Sequence, residues 1–152
     1  MFGFTSWVSV CNIAADSLFQ RRNEYFDSQR LLADTTTINK AIALYKTVLR
    51  QADQDSLQHQ ALWKLLQAYY FKGQFGSPHS SQRKQIYNQG IKISESYLDQ
   101  FSNSVELHAW LGVMWARWAE ESGILAAARR GVAGKVKHYA EQTMQIDEEY
   151  LG

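Results

Sequence analysis

One proline, one cysteine and nine glycines in 152 residues leave little material for turns and none for a disulfide within the chain. Without a second thiol, cysteine usage suits a reducing or an oxidising compartment equally. A chain this poor in turn-formers favours helices, and no stretch alternates β-branched and polar residues as half-buried strands do. Charge of one sign is lacking too. Sixteen Lys and Arg balance fifteen Asp and Glu for a net +1, with no long basic run, so the electrostatic footprint of a nucleic-acid-binding domain is missing. Among the four histidines there is no HxxxH pair and no cysteine partner, which argues against a structural zinc site. No glycine-rich phosphate loop follows a strand. The adjacent acids Glu120-Glu121 and Glu148-Glu149 do not face one another on a helix, so they make no acid-base couple. These absences point to a module without catalytic, metal or cofactor chemistry.

What is present is apolar periodicity. The opening Met1–Ala15 is apolar and uncharged but shorter than the roughly 20 residues that span a bilayer, and no Lys or Arg precedes it as a signal peptide requires. It is expected to be an arm, residues 1–15, that packs on the domain, on a partner or against lipid; residues 16–152 form the helical domain. Lipidation of Cys11 would call for a small residue before it, and Val10 stands there.

From Asp16 to Ala33, Leu18, Phe19, Tyr25, Phe26, Leu31 and Leu32 suggest a first helix. Ile38 to Leu49 suggest a second after the Thr35–Thr37 break, and Leu57 to Tyr70 a third ending at Lys72-Gly73. Past the loop around Pro78, Ile86 to Phe101 predict a fourth helix, Val105 to Glu121 a fifth and Gly134 to Asp147 a sixth. Gly123, Gly131 and Gly134 bracket ILAAARR, read as a tight connector whose Arg129 and Arg130 make a solvated helix end or, alternatively, bind an anionic group. The expected fold is all-α, about six main helices in three antiparallel pairs.

Three segments share a spacing of four, three and five residues: Ala41, Tyr45, Val48, Asp53; Gly90, Ser94, Tyr97, Ser102; Val136, Ala140, Thr143, Glu148. With Trp63-x-x-Leu66-x-x-x-Tyr70 and His108-x-x-Leu111-Gly112-x-x-Trp115, this resembles the tetratricopeptide repeat, and Gly112 then marks close helix contact. The block AWLGVMWARWAEESGILAAARRGVAGKVKHYAEQTMQIDEEYLG is similar to the T component of tripartite ATP-independent periplasmic (TRAP) transporters. Arg117-Trp118-Ala119-Glu120 with Ile124-Leu125 fill that family's tryptophan-rich segment, and Ile146-Asp147-Glu148 its helix terminus. RKQIYNQGIKISESYLDQFSNSVELHAWLGV is similar both to that component and to tetratricopeptide-like regulators of microtubule dynamics.

The resemblance implies an accessory module on a concave surface, with contacts expected at Lys64, Phe71, Val113, Arg117 and Trp118. It implies a protein partner (a substrate-binding protein or an assembly subunit), an apolar or anionic small ligand, oligomerisation, and a periplasmic or membrane-associated setting with the cytoplasm as alternative. A structural adaptor within a larger assembly, using residues 1–15 as its membrane or subunit contact, is the other reading. Trp110, Met114 and Trp118 share one helical ridge beside Leu111 and Trp115. Packing accounts for Trp110 and Trp115. Trp118, flanked by Arg117, Glu120 and Glu121, stands between packing and ligand contact.

Overall fold

The computed structural model describes residues 6–149. Among them are seven helices: α1 (Trp7–Gln20), α2 (Thr35–Gln51), α3 (Asp55–Phe75), α4 (Ser80–Glu95), α5 (Val105–Ser122), α6 (Ile124–Arg129) and α7 (Val132–Ile146). The one sheet among them is a pair of two-residue antiparallel strands, β1 (Phe26–Asp27) and β2 (Leu32–Ala33). The protein is all-α. It divides into two compact units, Met1–Ala68 and Tyr69–Gly152, the division falling inside α3.

In the first unit the helix expected at Asp16–Ala33 lies earlier in the chain, at Trp7–Gln20. The Ser6 hydroxyl caps α1 by accepting from the Ser9 amide at 3.2 Å, and the helix runs through residue 15, burying Cys11, Asn12 and Ala15. Residues 7–15 of the expected arm form the start of α1, which packs on α2; residues 1–5 lie outside the described residues. The chain beyond Gln20 turns because Asp27 Oδ1 accepts from the amides of Gln29 and Arg30, offering the backbone an alternative to helical bonds. Leu31 takes a positive φ of 53° as the hairpin closes. Asp34 caps α2 by accepting from the Thr36 amide at 2.7 Å. Ile38, Ala41, Tyr45 and Val48 then lie fully buried on one face.

In the second unit α4 packs on α5 and α5 on α7, around Tyr87, Ile91, Leu107, Leu111, Met114 and Trp115. The hydroxyls of Ser94 and Thr143, both buried, donate to the carbonyls four residues back, so neither is left unsatisfied. Helix α3 does not stop at Lys72-Gly73 but continues to Phe75, while α4 ends at Glu95 instead of reaching Phe101. The connector ILAAARR is itself helical over Ile124–Arg129, between two glycines of positive φ, Gly123 (79°) and Gly131 (62°, left-handed).

Close approach occurs at a different glycine from the one expected. A Cβ on Gly112 would meet Tyr139 Cβ at 3.5 Å, ordinary contact, whereas on Gly73 it would sit 2.3–2.9 Å from three atoms of the buried Tyr87 ring. Gly73→Ala should therefore cost about 1–3 kcal/mol through overpacking. Gly112→Ala should be neutral or gain up to about 1 kcal/mol from helix propensity. Urea unfolding of the two variants checks this, and equal midpoints would contradict the packing described.

Candidate functional site

Helix α5 has two faces of opposite character. On one, Trp115 and Trp118 meet edge to face with ring centroids 5.9 Å apart, and both are buried. Trp115 Nε1 donates to Glu95 Oε1 at 3.2 Å, so the indole polar atom is satisfied inside the packing. The Tyr139 hydroxyl lies 3.5 Å from the same oxygen, and burial together with the Glu95 charge pushes its pKa up to about 12. Arg130 lies over Trp118 at 4.5 Å and over Trp115 at 5.0 Å, while Lys135 lies over Trp115 at 4.6 Å. Arg130 is thus not merely a solvated helix end but covers the tryptophan pair.

The other face is built from small residues. Ala116, Ala119, Glu120 and Gly123 follow steps of three, one and three along α5, which keeps them on one side of the helix. Two glycines of positive φ turn α5 into α6 and α6 into α7, bringing Ala127, Ala128, Val132 and Val136 to the same hollow. The result is an open groove of about 870 Å³, lined almost wholly by alanine, glycine, valine and Ile124. A Cβ added at Gly123, Gly131 or Gly134 would meet nothing within 4 Å. Ile124, at the edge of the groove it lines, and its neighbour Leu125 stand 88% and 76% exposed. Two ionisable side chains line it, each with an ion-pair neighbour: Glu120 with Arg117 at 2.8 Å, Lys137 with Glu141 at 3.6 Å.

None of the five residues expected to make contacts lines this groove. Lys64 belongs to the first unit, where its ammonium meets Asp16 Oδ2 at 2.6 Å and Tyr45 donates to the other oxygen at 2.7 Å. Burial and the Asp16 hydrogen bond push the Tyr45 pKa well above the usual phenol range. The small pocket around them holds about 160 Å³. Phe71 is buried against Phe75 with ring centroids 5.2 Å apart. Val113 is exposed on α5 but does not line the groove. Arg117 bonds Glu120 at 2.8 Å and the Tyr70 hydroxyl at 3.1 Å, with its guanidinium over the Tyr70 ring. Trp118, only 6% exposed, is a packing residue rather than a rim contact. The sequence did signal the groove: alanines and glycines at helical spacing across Ala116–Val136 hold the helices near one another without filling the space between them.

Arg83 clamps Glu121 with two bonds, 2.7 and 2.9 Å, and these hold the Glu121 carboxyl below its ordinary range. No helix among the described residues is long and apolar enough to cross a membrane. The family model described as RMD1-3, Regulator of microtubule dynamics protein 1-3, matches residues 25–151. No curated protein and no solved structure matches the chain.

Two outcomes follow. Trp118→Ala should cost about 3–5 kcal/mol of stability, as a buried aromatic does, measured by denaturant unfolding; a cost below 1 kcal/mol would return Trp118 to the surface. Because the folded pKa of Glu121 is depressed, its stabilisation is present above the unfolded carboxylate pKa near 4.3 and is lost as pH falls through the folded value. Glu121→Gln should lower stability by about 1 kcal/mol at neutral pH and by nothing once both forms are protonated. A penalty that persists in acid would show that the clamp acts by shape alone.

Proposed function

The chain belongs to the Regulator of microtubule dynamics protein 1-3 family, and on that premise we propose that it is a non-enzymatic helical binding module acting on microtubule dynamics through protein contacts at the α5–α6–α7 groove. The observation that carries this reading is the groove itself: a concave apolar surface, flanked by exposed Ile124 and Leu125, of the kind that marks an interaction site. Its lining holds no nucleophile beside a base, and its two ionisable side chains sit in ion pairs, so the surface is suited to binding rather than to turnover.

Microtubule growth and catastrophe rates, followed by fluorescence microscopy with purified tubulin, test the proposal. The native chain should change these rates. Ala127→Glu, which sets a carboxylate among apolar side chains, should weaken the effect by about tenfold or more with an unchanged helical spectrum. A native chain without effect, or a variant as active as the native chain, would contradict it.

A second reading, ligand handling as the similarity to the transporter T component implies, is supported by the groove volume of about 870 Å³, inside the roughly 300–1,000 Å³ typical of small-molecule sites. Its apolar lining would take an apolar body, with Lys137 the cation available to orient an acidic group. Native mass spectrometry should then show a co-purified small molecule that Ala127→Glu loses. The adaptor reading draws support from α1, which exposes Trp7, Val10 and Ile13 and so offers an apolar strip to a subunit or a membrane surface.

A further inference from the structure

The groove and its most exposed apolar neighbours form two halves of one shape. Ile124, at the edge of the hollow, and Leu125 next to it project from α6, and the hollow's floor of alanine and glycine has room for branched side chains. A projection and a receiving hollow on the same face are what a two-fold interface needs, because there the same patch meets itself.

The rim charges agree with this. Glu120 on α5 and Lys137 on α7 both line the groove, with opposite signs. Their present pairs, Glu120 with Arg117 at 2.8 Å and Lys137 with Glu141 at 3.6 Å, are solvent-exposed and so weak enough to exchange, and a partner of uniform charge would meet one of the two as a like charge. A second copy turned by a two-fold axis can place each Glu120 against the Lys137 of the other. A bilayer fits less well, since a planar surface cannot enter a hollow.

We propose that the groove is the contact face of a homodimer, in which Ile124 and Leu125 of each copy fill the groove of the other and Glu120 pairs across with Lys137. The proposal rests on reading the groove as a protein-contact face and names its occupant.

Sedimentation equilibrium over a rising concentration series tests it. The native chain should move from 17.5 kDa toward twice that mass. Glu120→Lys alone and Lys137→Glu alone should each associate at least about tenfold more weakly, because like charges then meet across the axis. Mixed in equal amounts, the two variants should regain the native dimer, since the reversed charges at positions 120 and 137 now face each other. Ile124→Asp should stay monomeric in every mixture. The substituted side chains lie on the surface or at the groove, and circular dichroism confirms that each variant is folded. A native chain that is monomeric throughout, single variants that associate like the native chain, or a mixture that fails to recover would overturn the dimer. If the dimer fails while Ala127→Glu still abolishes the effect on microtubules, the groove remains an interface and only its occupant is wrong.

Discussion

Everything in the second unit depends on the division of labour along α5. A helix can send large side chains to one side only if that side is fully packed, and Trp115 and Trp118 do this, together with Leu111 and Met114, against α4 and α7. Glu95 satisfies the Trp115 indole, and Arg130 and Lys135 lie over the rings, so the aromatic cluster is complete without a ligand. The opposite side is left with alanine, glycine and one glutamate, and no helix among the described residues fills the hollow they form.

That asymmetry leaves an open apolar surface on α5, α6 and α7, the one proposed here for binding. The tryptophans, which look like the binding residues in the sequence, anchor the helix, and the bland Ala-Gly stretch beside them carries the open surface. The glycines at 123 and 131 matter because their positive-φ backbone lets three helices converge within a short length of chain. Larger residues at Ala119, Ala127 or Ala128 would close the groove that the small ones leave open. The chain belongs to the Regulator of microtubule dynamics protein 1-3 family.

The all-α fold was legible from sequence because α2, α3, α5 and α7 carry apolar residues at helical spacing, and α5 was placed to within one residue. The first helix was misplaced. Apolar pairs at Tyr25-Phe26 and Leu31-Leu32 mimic helical periodicity, while the Asp27 side chain that diverts the backbone is a local hydrogen-bond effect with no periodic signature. Helix α3 passes through Gly73, where the Tyr87 ring takes the space a side chain would need; that this glycine serves packing and not a helix end is a tertiary matter invisible in the local sequence. The candidate contacts were chosen for chemistry: Lys64 and Arg117 for charge, Phe71 and Trp118 for aromatic area. Those same properties bound them into ion pairs and core. A site made of small residues has no such chemistry to read, only the spacing of its alanines and glycines.

The central claim is that the groove is open in the isolated chain and covered in the functional assembly. Thiol reactivity at a single site tests it most directly: Ala128→Cys in a chain whose buried Cys11 is replaced by alanine, probed with a water-soluble thiol reagent. The account predicts labelling as fast as that of a free thiol in dilute protein, slowed when the chain is concentrated or bound to its partner. Slow labelling at every dilution would mean that the groove is already filled, and equally fast labelling under all conditions that nothing ever covers it.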